Sequence, residues 1–139
     1  INNNVYNSPI LFPVHPRTDK IVSKMNFDFE NIYRIHPMSY LEFNYLVANS
    51  ACVITDSGGI TEETTVLGIP CMTLRNNTER PETVTHGTNE IVGVDTKKIT
   101  LALKKLFSGN WKTGCIPELW DGKTSTRIVN HILKLDIEK

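Results

Sequence analysis

Short apolar runs alternate with longer amphipathic stretches along this chain. Residues 9–15 (PILFPVH) read as a buried strand whose end Pro13 and Pro16 turn away from any ladder. A short polar helix is predicted over 18–25 and a second strand over 31–35, stopped by His36-Pro37. Ser39 with Glu42 three positions on forms a capping box, and Leu41, Phe43, Leu46 and Val47 give the helix behind it an apolar face. Residues 51–55 form a third strand, followed by a helix that runs to about Leu67, where Gly68 fits the C-terminal turn and Pro70 forbids continuation. Strands at 71–74 and 90–94 follow, separated by a polar loop with one helical turn. Asp95 caps a helix carrying Ile99, Leu103, Leu106 and Phe107 inward. After an irregular stretch, 109–122, a last helix starts near Thr124 with Ile128, Ile132, Leu133 and Leu135 facing inward. Continuous apolar strands alternating with helices predict an α/β fold: a Rossmann-like parallel sheet covered by helices on both faces. No repeat or low-complexity segment marks a boundary, so the 139 residues are read as one domain.

One segment of this pattern carries candidate chemistry. Asp56-Ser57-Gly58-Gly59-Ile60-Thr61-Glu62-Glu63 joins the third strand to its helix. A strand, two glycines and a helix start place outward-pointing N–H groups and the positive end of a helix dipole where an anion can approach. Two glutamates within the next turn are placed to hold sugar hydroxyls. A second reading fits equally well: Ser57 caps the helix and the glutamates complement its dipole.

Ligands in open α/β sheets collect at the carboxyl ends of strands. Those ends carry, in order, His15-Pro16-Arg17, His36-Pro37, the glycine turn, and Arg75 with the polar run to Arg80. Arg17, Arg75 and Arg80 suit bidentate contacts to phosphate oxygens, although each taken alone reads first as a solvated surface charge. Tyr40 or Phe43 can stack on a base or belong to the core.

Charge and composition narrow the field. Lys+Arg and Asp+Glu both total 15, so nothing argues for nucleic acid or an anionic membrane as a partner. No apolar run reaches membrane-spanning length. The three cysteines, Cys52, Cys71 and Cys115, and the four histidines lack metal-ligand spacing, so neither a metal nor another cofactor is expected. Cys52 and Cys71 lie in apolar runs and read as buried reduced thiols, which points to the cytoplasm. No zinc motif, P-loop, nucleophile elbow or Gly-x-Gly-x-x-Gly fingerprint is present. The chain opens on Ile1 in what reads as the end of an element, which suggests a piece of a longer protein.

The glycine segment, Leu67-Gly68-Ile69-Pro70 and Arg75-Asn76-Asn77-Thr78-Glu79-Arg80-Pro81-Glu82 together resemble the UDP-N-acetylglucosamine 2-epimerase family. Phe12-Pro13-Val14-His15-Pro16-Arg17-Thr18, Gly87-Thr88-Asn89, Val92-Gly93-Val94-Asp95 and Trp120-Asp121-Gly122-Lys123 extend the match over nearly the whole chain in order and spacing. The resemblance implies the C-terminal, UDP-binding half of a glycosyltransferase-B-like fold, with the active site between two halves. Transferred to matching positions, it implies diphosphate binding by Ser57, Gly58 and Gly59, ribose binding by Glu63, and uracil contacts from Phe43 and the His36-Pro37 backbone. Arg80 is placed near phosphates and sugar, and His15 facing the cleft. The implied reaction inverts C2 of a UDP-sugar by eliminating UDP and adding it back, without a cofactor, in a homodimer.

The family's acid/base carboxylates and its catalytic histidine match no position of this chain, so no catalytic residue is assigned and the isolated chain is expected to be inactive. Its stability is also expected to suffer, because the resemblance leaves one sheet edge uncovered. An epimerase of a modified UDP-sugar, a nucleotide-sugar glycosyltransferase and a non-catalytic nucleotide-binding module are the competing readings.

Overall fold

A computed structural model of the chain describes residues 8–25 and 30–137, the side chains of 136 and 137 excepted. Five parallel strands alternate with helices: β1 (Ile10–Pro13), α1 (Pro16–Val22), β2 (Ile32–Ile35), α2 (Tyr40–Ala48), β3 (Val53–Thr55), α3 (Gly58–Leu67), β4 (Cys71–Thr73), α4 (Pro81–Thr85), β5 (Asn89–Ile91), α5 (Thr96–Phe107) and α6 (Thr124–Ile137). Every one of these elements falls on or within two residues of the stretch the hydrophobic pattern assigns, and the fold is Rossmann-like α/β. The strands are shorter than the apolar runs, because only their central residues find ladder partners.

The described strands form two sheets instead of one. β1 pairs only with β2, from Ile10↔Ile32 to Pro13↔Ile35, and β3-β4-β5 form a separate sheet. Leu11, Phe12 and Tyr33 consequently stay exposed. No ladder joins the two-stranded and three-stranded sheets among the described residues.

The strands of the larger sheet show why the core lies where it does. Alternate residues of a strand face opposite sides. Met72 of β4 packs with Val92, Ala102 and Leu103 beneath α5, and Ile54, Leu74, Ile99, Leu106, Phe107 and Trp111 close around them. Cys71 and Thr73, its neighbours on β4, face the other layer, where the chemistry is polar. Thr61, Thr64, Thr65, Thr73, Thr83, Thr88 and Asn89 are all buried. A buried hydroxyl is tolerated only with a partner. In α3 the threonines supply their own: Thr61 donates to the Gly58 carbonyl (2.6 Å), Thr64 and Thr65 to that of Thr61 (3.1 and 2.8 Å). That economy lets a helix rich in threonine pack closely against its neighbours. The approach is closest at Gly87, where a Cβ would stand 2.4 Å from Thr65 Oγ1 and 2.6 Å from the Thr83 carbonyl.

Helix ends follow the sequence signals. Ser39 donates to the Glu42 carboxylate through its N–H (2.9 Å) and its hydroxyl (2.7 Å), and these bonds hold the Glu42 carboxyl below its ordinary pKa. Asp95 caps α5 by accepting from Lys97 N–H at 2.8 Å. Gly68 ends α3 in the left-handed region, φ 71°. The irregular stretch after α5 is fastened to the residue before β5 and to α4: Trp111 Nε1 donates to the Thr88 carbonyl (2.8 Å) and Lys112 Nζ to that of Val84 (2.6 Å), while Lys105 of α5 itself pairs with Glu90 of β5.

Two expectations fail on burial. Leu41 is exposed, since α2 buries only Val47 and partly covers Phe43 and Leu46. Ile128, Ile132, Leu133 and Leu135 of α6 are exposed as well. The periodicity that marked an apolar face was real, but none of the described elements covers it. Cys71 is buried, Cys52 half-buried and Cys115 exposed, all three as free thiols. Among the described residues no helix is long and apolar enough to cross a membrane.

Candidate functional site

β3 delivers the chain to the glycine turn. Ser57 is the residue before α3, extended at φ −88° and ψ 127°, and its N–H donates to Thr55 Oγ1 at 3.1 Å. Ser57 occupies the N-cap position, but its side chain makes no capping bond. The glycines that follow are telling in what they do not need. Neither Gly58 nor Gly59 has a positive φ, and a Cβ built on either meets nothing within 4 Å. Neither backbone geometry nor internal packing therefore calls for glycine at these positions. Without side chains, the first N–H groups of a ten-residue helix stand open to the outside at its positive end.

The sequence placed an acidic pair one turn on, and the structure separates its members. Glu62 Oε1 accepts from Arg80 Nε at 2.7 Å. Glu63 is half-buried and has no ion-pair partner among the described residues. Arg80 thus reaches from the loop after β4 back to α3, where it meets Glu62 one turn beyond the glycines. A second bond, from its Nη1 to the Glu79 carbonyl at 3.2 Å, fixes the guanidinium further.

Arg80 is held from behind as well. Its carbonyl accepts from the Thr83 hydroxyl (2.7 Å) and its N–H donates to Thr78 Oγ1 (3.0 Å). Thr83 Oγ1 in turn accepts from Asn89 Nδ2 (3.1 Å), and Asn89 Oδ1 accepts from Thr73 Oγ1 (2.7 Å). This buried chain runs from β4 through β5 to the start of α4. Sequence reasoning missed both it and the Glu62–Arg80 pair. Their members lie on different elements, and no local spacing connects them.

The remaining candidates sit at strand ends. His15 follows β1 and caps α1, its Nδ1 accepting from Arg17 N–H at 3.3 Å. His36 and Pro37 follow β2 and are exposed, while Phe43 is half-buried on α2, which packs on α3. Arg75, just after β4, is exposed, as is Arg17. The structure joins Arg80 directly to the α3 segment. The others share the carboxyl ends of the strands without touching Ser57, Gly58 or Gly59 through any hydrogen bond or ion pair among the described residues. No group of His, Cys, Asp and Glu among those residues is arranged to hold a metal.

Parallel strands alternating with helices, with Arg80 of the loop after β4 held by Glu62 of α3, define a Rossmann-like α/β domain. The family model for UDP-N-acetylglucosamine 2-epimerase matches residues 1–133, and the chain belongs to that family. It is 42% identical over 132 residues to the UDP-N-acetylglucosamine 2-epimerase of Methanocaldococcus jannaschii, covering 90% of this chain and 35% of that protein. The crystal structure of the Methanocaldococcus jannaschii enzyme in complex with UDP-GlcNAc and UDP superposes with a TM-score of 0.78 at 38% identity, over 96% of this chain and 38% of the other. A UDP-2,3-diacetamido-2,3-dideoxy-D-glucuronate 2-epimerase of Pseudomonas aeruginosa is 34% identical over 134 residues, 92% of this chain and 36% of that protein. The chain therefore spans little more than a third of the length of these relatives.

Proposed function

We propose that this chain is the C-terminal, UDP-binding half of an enzyme that interconverts UDP-N-acetylglucosamine and UDP-N-acetylmannosamine. The observation that carries the reading is the pair Gly58-Gly59, glycines that neither fold nor packing requires, opening a helix whose Glu62 holds Arg80. Ser57, Gly58 and Gly59 hold the diphosphate through backbone N–H groups, and Arg80 adds a cation to it. Glu63, whose carboxylate is not committed to Arg80, takes the ribose hydroxyls. Phe43 and the backbone at His36-Pro37 receive uracil, and His15 faces the cleft toward the other half.

In the reaction, the bond from C1 of the sugar to the diphosphate breaks as a proton leaves C2, giving UDP and a glycal. A proton then returns to C2 from the opposite face and UDP adds back at C1. The diphosphate leaves with negative charge, and donors fixed in advance at a helix end stabilise it in both directions. The groups that move the C2 proton come from outside these 139 residues, so the chain alone does not epimerise. The complete enzyme works as a homodimer in the cytoplasm.

The Pseudomonas aeruginosa relative supports a second reading, a modified UDP-sugar as substrate, since the same UDP contacts serve either sugar. A calorimetric titration with UDP, with uridine as control, tests the shared part. UDP must bind more tightly than uridine, and Gly59→Ala must weaken UDP while leaving stability unchanged or slightly raised. Equal affinity for UDP and uridine refutes the diphosphate site. Parallel assays of both sugars on the full gene product then separate the two substrates.

A further inference from the structure

We infer that Glu62 is a positioning residue: it aims Arg80 at the diphosphate, and does not compete with the ligand for it. The inference rests on the UDP reading of the α3 turn and goes beyond it by giving Glu62 a task. Two guanidinium atoms are already engaged, Nε by Glu62 at 2.7 Å and Nη1 by the Glu79 carbonyl at 3.2 Å. A guanidinium offers five N–H groups in a planar fork. Holding it by Nε and Nη1 leaves the Nη2 N–H groups to donate to phosphate oxygens.

The backbone beneath is equally constrained. The Thr73–Asn89–Thr83 chain ends on the Arg80 carbonyl, and Thr78 takes its N–H. Both ends of the side chain are therefore fixed before any ligand arrives. Such pre-organisation removes the rotamer entropy a free arginine would lose on binding. The pair does little for the fold itself. Its side chains are 46% and 39% exposed, and ion pairs at such positions are weak contributors to stability.

Simple electrostatics predicts the opposite of positioning. A carboxylate near a diphosphate repels it, so deleting Glu62 ought to tighten UDP binding. The two accounts separate in a set of variants of the full gene product, titrated with UDP and with uridine. Arg80→Ala is expected to weaken UDP by about tenfold or more, the scale of a lost charge-assisted contact. Glu62→Ala is expected to weaken UDP several-fold. Glu62→Gln, which keeps the acceptor for Nε without the charge, is expected to recover affinity to within about twofold of the original. In the Arg80→Ala background, Glu62→Ala should cost nothing more, because the two residues then act as one. Uridine affinity should not move in any variant, which a general loss of structure would not allow.

Tighter UDP binding by Glu62→Ala, no rescue by Gln, or additive losses in the double variant would each overturn the assignment while leaving the UDP site standing. Wild-type protein that fails to distinguish UDP from uridine overturns the underlying reading and this inference with it.

Discussion

Replacing Asn89 by alanine cuts the buried polar chain at its centre. Asn89 is fully buried, accepts from Thr73 Oγ1 at 2.7 Å and donates to Thr83 Oγ1 at 3.1 Å. Two hydrogen bonds disappear, each worth about 1 kcal/mol net. The Thr73 hydroxyl, itself only 2% exposed, loses the acceptor it uses, and stranding a buried donor costs about 1–3 kcal/mol. The Thr83 hydroxyl keeps its bond to the Arg80 carbonyl and adds little to the loss. The sum is roughly 3–5 kcal/mol, a large share of the stability of any single domain. With a urea m-value of about 2 kcal/mol/M, the midpoint should fall by about 1.5–2.5 M. Thr73→Val supplies the internal control, because it removes the stranded donor. The Asn89→Ala/Thr73→Val double variant should therefore be less destabilised than the sum of the singles by about 1 kcal/mol. Strict additivity, or a loss below about 0.5 kcal/mol for Asn89→Ala, would show that the network is not a stabilising unit.

Three further outcomes are expected. Gly87→Ala should destabilise by about 1–3 kcal/mol or prevent folding, since its methyl would overlap Thr65 Oγ1 and the Thr83 carbonyl, whereas Gly59→Ala meets nothing; equal urea midpoints for the two variants would contradict the packing argument. The Asp121 carboxyl is held below its ordinary value of 3.8, first by its hydrogen bond from Arg127 (2.5 Å) and then by the Lys123 N–H (3.0 Å). Because the folded pKa is the lower one, the start of α6 should be fully tied at pH above about 4 and loosen as pH falls through the Asp121 midpoint. Carboxylate NMR should place that midpoint below 3.8, and Arg127→Ala should raise it only in part; an unchanged midpoint in Arg127→Ala would rule out the contact. Burial pushes the Cys71 thiol up to about 11 and that of Cys52 to about 12. Iodoacetamide at pH 8 should accordingly label Cys115 alone in the native protein and all three in urea, and native labelling of Cys52 or Cys71 at the rate of Cys115 would refute their burial.

The sequence by itself determined the order of elements and the place of the glycine turn between β3 and α3. Continuous apolar runs, helical patterns, Gly68, Pro70, Asp95 and the Ser39/Glu42 box are local signals, and local physics suffices to place strands and helix ends from them. The motifs that resemble the epimerase family are likewise runs of neighbours along the chain. Only the tertiary structure decided which side chains serve each other. That Arg80 crosses to α3 and pairs with Glu62, leaving Glu63 uncommitted to it, was not legible in the sequence. The polar layer of Thr73, Asn89 and Thr83 joins residues from three elements, and a buried threonine looks like any other in sequence. Burial was misjudged at Leu41 and along α6 for the complementary reason. An amphipathic face states that apolar residues share a side of a helix, while what covers that side depends on the elements packed there. The division of the strands into two ladders has the same origin, since a strand's sequence records its apolar character but not which edge finds a partner.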